Sequence, residues 1–476
     1  MRTIDVNDII VTMTNWMPEL ESRSGPRYIA IADALSQDIT EGRLQAGERL
    51  PTHRDLAWGL GVTVGTVSRA YAEAERRGLI SSEVGRGTYV RAPLLLELPM
   101  TPDQTADAPE RINLSSAFPP PSGQDPFVEP TLSTIAKDPQ ASRLFDYQAH
   151  AGLAEHRAAG ALWLARSGVE AAPDAVIVTA GAQHAITVCL AALTRPGDRV
   201  LCESLTYAGL QTVARLLGIR LEGLACDEAG IRPEALAAAC RNGDAKALYC
   251  IPTFQNPTTT IMPEARRREI GAIAEAHGLP VIEDDIFGLF TDERPPPLQS
   301  FAPALTYFLT SLSKSVAPGL RIGYIASPPG TSERLTAAVR ATCWMAPPLM
   351  AEVATRWIRD GSAERILARH REEAEARRAL TLDILGRWDP IGPPGSLFLW
   401  LHLPDPWRSS NFAVEAGRRG IEVTPAEAFT IGRQTIAHAI KISIGPPRDR
   451  DLLAKALRRL DGLIEAGPSE SFGSSL

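Results

Sequence analysis

The chain has 476 residues, 44% hydrophobic and 22% charged, with a formal net charge of −7. Such a length exceeds what one core serves, so two or three domains are expected, and the acidic balance excludes a nucleic-acid surface spread over the whole chain while leaving room for a local one. No run nears the roughly 18 apolar residues of a membrane span and Asp5 and Asp8 break any signal-peptide layout, so a cytoplasmic protein without membrane partners is expected.

The six cysteines (Cys189, Cys202, Cys226, Cys240, Cys250, Cys343) show neither a CxxC pair nor metal-ligand spacing. Reduced thiols and no metal site are expected. Residues 23–92 contain ten arginines, no lysine and eight acids, so the positive excess lies at the N-terminal end.

In that region Ile29, Ile31, Ala32, Leu35 and Ile39 recur at helical spacing until Gly42. After Pro51, Thr52 can cap a short helix through Leu60, Gly61-Val62 turn the chain, and Thr63 can cap a longer helix ending near Gly78. Leu79-Ile80 and Thr88-Tyr89-Val90 flank Gly85-Arg86-Gly87 and predict a hairpin. Helix, helix-turn-helix and hairpin make a winged helix over residues 23–92. Thr63, Thr66, Ser68 and Arg69 open the second helix with the small polar and basic side chains that base edges and phosphates require. Arg54 can grip a phosphate or guanine edge, and Arg86, beside Gly87, can reach a minor groove from the wing. Each of these residues also has an ordinary use as a cap or solvated charge. The unbroken string from Pro26 to Val90, with LPTHRDLA, GVTVGTVSRAYAEAERRGLI and GRGTYV, is more specific. It resembles the DNA-binding domain of GntR-family regulators, which implies dimeric binding to paired half-sites of double-stranded DNA.

Residues 93–111 carry Pro93, Pro99, Pro102 and Pro109 among several acids and predict a linker. Beyond it, apolar runs at Ala175–Thr179, Arg199–Cys202, Ala247–Ile251, Pro280–Ile282 and Tyr307–Leu309 alternate with helical stretches, which predicts an α/β fold with a mainly parallel sheet. Residues 350–385 are helical, strands are expected at Leu397–Leu403 and Ala439–Ile444, and a small α+β lobe is expected from about residue 350. Residues 464–476 predict a disordered tail.

Within the α/β part, Lys314 follows a strand in Ser311-Leu312-Ser313-Lys314, with Arg321 seven residues on. Two hydroxyls and a guanidinium beside a lysine suit a phosphate dianion. Upstream, Gly181-Ala182-Gln183 join a strand to a helix, where backbone N–H groups can hold phosphate. Tyr207 can stack on a flat ring, Asn256 can donate to a phenolic oxygen, and Asp284 can keep a pyridine nitrogen protonated. Such a set suits pyridoxal 5'-phosphate (PLP), and its order and spacing resemble the fold-type I aminotransferase site over residues 112–463.

A GntR-type head on an aminotransferase-like body resembles the MocR/GabR subfamily of regulators. The resemblance implies that Lys314 carries the PLP imine, Asp284 meets the pyridine nitrogen, Asn256 the phenolic oxygen, and Tyr207 the ring face. It also implies that Gly181, Ala182, Gln183, Ser311, Ser313 and Arg321 hold the phosphate, that Tyr147 reaches the partner subunit's cofactor, and that the protein is a homodimer. Two positions depart from the pattern. Ile286 and Phe287 stand where a tyrosine is common, and Lys441 stands where an arginine clamps a carboxylate. Lysine offers a point charge without a bidentate fork, so sensing of an amine or amino-acid-like effector is expected in place of efficient transamination. A sensor of PLP supply for vitamin B6 metabolism, a working aminotransferase with an accessory DNA-binding head, and a body that no longer takes PLP remain open alternatives.

Overall fold

The computed structural model describes residues 16–18, 20, 26–40, 43–44, 48–76, 79–83, 87–90, 111–121, 124–241, 243–432 and 438–468. Arg86, linker positions 93–110 and tail positions 469–476 lie outside the described residues. Two compact units divide at Glu97 and Leu98.

The N-terminal unit holds α1 (Arg27–Thr40), α2 (His53–Leu60), α3 (Val64–Arg76), β1 (Ile80–Glu83) and β2 (Gly87–Val90). Ile31, Ala32 and Leu35 of α1 are buried against Leu56 and Ala57 of α2 and Val67, Ala70 and Tyr71 of α3. Thr52 caps α2 by accepting from the Asp55 N–H and donates to the Asp55 carboxylate at 2.6 Å. Gly61 ends α2 in the left-handed conformation at φ 62°, which a residue with a Cβ adopts at a cost. Thr63 accepts from the Thr66 N–H at 3.2 Å and starts α3. β1 and β2 pair antiparallel from Ile80 with Val90 to Glu83 with Gly87, which gives the wing. Trp16 and Leu20, upstream of the winged helix, are buried in the same core, and the Trp16 indole donates to Asp38 at 2.7 Å.

The C-terminal unit is built on a seven-stranded sheet in the order Val176–Thr179, Gly323–Ala326, Thr306–Ser311, Val281–Asp284, Ala245–Cys250, Arg199–Glu203, Arg220–Leu224. Gly323–Ala326 runs antiparallel to both neighbours and the other six are parallel to one another. Crossover helices cover the sheet, so the inner parallel strands are buried on both faces and read as apolar runs, while the edge strand Arg220–Leu224 is only partly buried. The β-rich runs placed five of the seven strands. A second sheet pairs Phe398–His402 and Thr424–Pro425 with Ala439–Ser443 between them.

The small lobe does not begin near residue 350. Helix Pro348–Arg359 and the first half of helix Ser362–Leu385 pack into the large core through Ala354, Trp357, Ile366 and Leu367. The small-lobe core takes over near Leu380 and recruits Ile112 and Leu114, because Ile112–Asn113 pairs in parallel with Ile421–Glu422. The last helix runs through Ala466, so residues 464–466 are helical and not part of a tail.

Candidate functional site

The site residues gather at the carboxyl ends of the parallel strands, where side chains leave a rigid frame and face the crevice beyond it. Asp284 is the last residue of its strand, and Lys314 lies in the short helix Leu312–Ser315 that follows the next one. Tyr207 follows the strand Arg199–Glu203, and Asn256 lies in the turn after Ala245–Cys250.

Asp284 is 1% exposed and accepts from the Tyr249 hydroxyl through Oδ2 at 2.6 Å, while its Oδ1 is buried without a partner. Burial pushes the Asp284 carboxyl up to about 7, against the Tyr249 hydrogen bond, which favours the charged form. Burial also brings the Lys314 ammonium down to about 8, helped by the Arg321 charge and opposed by Asp284. The Lys314 Nζ lies 5.0 Å from the centre of the Phe118 ring. Asn256 is buried with its Oδ1 unpaired.

At the start of helix Ala182–Leu193, Gly181 has φ 84°, and a Cβ there would sit 2.7 Å from an Arg321 nitrogen. The Arg321 guanidinium donates to the Ser313 hydroxyl at 3.2 Å and the Ala180 carbonyl at 3.3 Å, and Arg321 itself holds φ 52°. Ser311 donates to Ser313 at 3.1 Å. Two hydroxyls, a guanidinium and a helix amino end thus surround one small space. Tyr207 donates to Gln183 Oε1 at 3.0 Å and its ring lies across Gly209, where a Cβ would be 2.3 Å from a ring carbon.

These features fit PLP. A protonated pyridine nitrogen would supply the donor that Asp284 Oδ1 lacks, and the cradle at Gly181, Ser311, Ser313 and Arg321 suits a phosphate. The expected Tyr147 is not brought to this place. It is 83% exposed, with its ring 5.7 Å from Trp344, so one subunit does not use it at its own site. Phe287 is buried edge-on against Phe398, with ring centres 5.2 Å apart, and offers no donor.

Tyr249, the hydrogen-bond donor to Asp284, was missed by sequence reasoning. It stands in the apolar run Ala247–Ile251, and nothing in the spacing separates it from a core aromatic. Phe118 was missed in the same way, since it lies far upstream in the chain.

Lys441 faces inward on the central strand of the small sheet, 5% exposed. Its Nζ is 5.1 Å from the Phe429 ring centre and 5.6 Å from that of Phe398. Among the described residues no carboxylate pairs with it. Burial, with the Lys314 charge adding to it, brings its ammonium down to about 7. Its burial means that Lys441 is not a solvated strand-end charge.

On the head, Arg54, Thr63, Ser68 and Arg69 are exposed, and Thr66 is half-buried with its hydroxyl 2.9 Å from that of Thr63. Arg69 stacks at 4.1 Å on the Tyr28 ring, which holds its guanidinium against α1. Gly87 has φ 122° and lets Arg49 cross the wing, because a Cβ there would lie 2.6 Å from the Arg49 Nε. Arg49 had no signal in the sequence.

The described residues hold no group of three potential metal ligands. No described helix is long and apolar enough to cross a membrane.

Residues 109–460 match the aminotransferase class I and II family, and residues 27–90 match the bacterial regulatory proteins of the gntR family. The chain is 32% identical over 451 residues to the HTH-type transcriptional regulator YdeF of Bacillus subtilis, covering 95% of this chain and 97% of that one. It is 28% identical over 366 residues to the HTH-type pyridoxine biosynthesis transcriptional regulator PdxR of Corynebacterium glutamicum, covering 75% and 78%. Among solved structures, the α-aminoadipate aminotransferase LysN of Thermus thermophilus, complexed with N-(5'-phosphopyridoxyl)-L-leucine, aligns with a TM-score of 0.68 at 25% identity, covering 75% of this chain and 92% of that one.

Proposed function

This chain belongs to the GntR-type transcription regulators that carry an aminotransferase class I and II domain, as in the MocR/GabR group, and from that premise we propose that it reads an amine-bearing effector through PLP held on Lys314. The observation that carries the reading is the pairing of a lysine brought down to about 8 with a buried Asp284 whose Oδ1 lacks a partner. When bound, the cofactor supplies an aldehyde that primary amines attack. Lys314 would hold it covalently, and the loop around Arg321 would anchor its phosphate. Asp284, aided by Tyr249, would keep the ring nitrogen protonated, while Asn256 would donate to the phenolic oxygen.

Lys441 would attract an anionic group on an incoming amine and so hold that amine beside Lys314. A lysine there holds a carboxylate with less directional force than an arginine would, which favours binding over turnover. The exposure of Tyr147 supports a role at a partner subunit's site, and with it a homodimer that carries two DNA-binding heads. The winged helix contacts DNA with the α3 start and the wing, using Arg54, Thr63, Thr66, Ser68, Arg69, Arg86 and Gly87.

The visible spectrum of PLP-loaded protein tests this directly. Wild type should show a band that shifts on adding a primary amine, and Lys314→Ala should lack that band. An identical spectrum in both proteins would overturn the assignment of Lys314. The similarity to PdxR supports a second reading, in which PLP itself is the effector. In that case DNA affinity changes with PLP alone, before any amine is added.

A further inference from the structure

Next to the cofactor residues, but not formed by them, is a cavity of about 700 Å³. Leu205, Gln255 and Thr259 line it from the large lobe, and Ile391 and Trp400 from the small lobe. Trp400 is the cross-strand partner of Lys441, so the two side chains lie on the same face of the small sheet. Both pack on Phe429, with ring centres 6.3 Å apart for Trp400. Phe429 and Trp400 therefore stand between the Lys441 ammonium and the cavity, and Gln255 joins the cavity to Asn256.

The charged side chains in the cavity wall are Glu203, Asp227 and Glu228, and neither lysine nor arginine is among the lining residues. Arg266 satisfies Asp227 at 3.0 Å. Glu203 is different. It is 2% exposed, accepting from the Ile251 N–H at 2.7 Å and from Thr206 at 3.3 Å, one donor for each oxygen. A carboxylate can accept about four hydrogen bonds, so these donors leave Glu203 with acceptor capacity. Burial pushes Glu203 up to about 7, and a cation beside it is what would hold it ionised. Glu228 stands exposed at the rim. Apolar walls with an aromatic ring and carboxylates suit a methylene chain ending in an ammonium.

We infer that this cavity is the side-chain subsite of the effector, and that the effector is a basic amino acid. Its carboxylate meets Lys441, its α-amino group lies at Lys314, and its distal ammonium enters the cavity between Trp400 and the Glu203 and Glu228 carboxylates. The assignment rests on the amine-sensing reading above.

The test uses PLP-loaded full-length protein with L-lysine, L-norleucine and L-2-aminoadipate, read by visible absorbance. Norleucine keeps the chain length without the ammonium, and aminoadipate reverses the charge. L-Lysine should bind at least tenfold more tightly than either, the ratio that one charge-assisted hydrogen bond supplies. Glu203→Gln should bring the lysine to norleucine ratio close to one, and the exposed Glu228→Gln, which leaves the core intact, should reduce it by a smaller factor. Equal binding of lysine and norleucine, or a ratio unmoved in both variants, would overturn the subsite while leaving amine sensing in place. No absorbance change with any of the three would overturn both.

Discussion

Lys441 is a buried ammonium among aromatic rings with no carboxylate against it among the described residues. Its folded-state value, about 7, lies below the ordinary lysine value, so the unfolded chain binds more protons between about pH 7 and pH 10. Stability from this group therefore rises with pH across that window. Lys441→Met should stabilise the cofactor-free protein on the order of a few kcal/mol below pH 7, with the advantage fading towards pH 10, as measured by denaturant unfolding. Effector binding runs the other way, because the charge that attracts a carboxylate is lost as pH rises through about 7. Affinity for an amino acid, relative to a plain amine, should fall between pH 6 and pH 8.5 in wild type and stay level in Lys441→Arg. Tyr249→Phe removes the donor to Asp284 and should push that carboxyl further up, moving the pH at which the visible band titrates. An unchanged titration in Tyr249→Phe would remove Tyr249 from the cofactor's environment. Asp284 at a strand end and Lys314 in the turn of helix after the next strand could be picked out in the sequence because charged groups stand out against apolar strands. Tyr249 could not, since its hydroxyl is polar only in the context of a partner 35 residues away.

Turns and caps decide how these residues are presented. The Gly181 turn combines φ 84° with close approach to Arg321, so Gly181→Ala strains the backbone and crowds the guanidinium at once. PLP affinity should drop at least tenfold by fluorescence titration, with far-UV circular dichroism unchanged; unaltered affinity would place the phosphate elsewhere. In the head, Trp16 fills the core upstream of α1, and Trp16→Ala should cost about 3–5 kcal/mol by thermal unfolding of that unit. A loss below about 1 kcal/mol would show that this segment merely rests on the surface. The winged helix was legible element by element because its caps and glycines are local signals. The buried Trp16 segment was not, because it is short and breaks no periodicity. The small-lobe boundary was misplaced for a related reason. A single helix, Ser362–Leu385, serves both cores, and the pairing of Ile112 with Ile421 joins positions far apart in sequence.

At the scale of the molecule, a DNA-binding head and a cofactor-binding body were both legible, since each carries a dense local pattern. In the function proposed above, what links them is a coupling free energy, which requires that the effector-bound and free forms of the body differ in how they present the DNA-binding heads. The decisive measurement is the affinity of full-length, PLP-loaded protein for a duplex selected from a randomised pool, with and without a primary amine, in wild type and in Lys314→Ala. The account predicts that the amine changes DNA affinity at least fivefold in wild type and leaves Lys314→Ala unmoved. An equal change in both proteins, or none in wild type despite a shifted visible band, would contradict it.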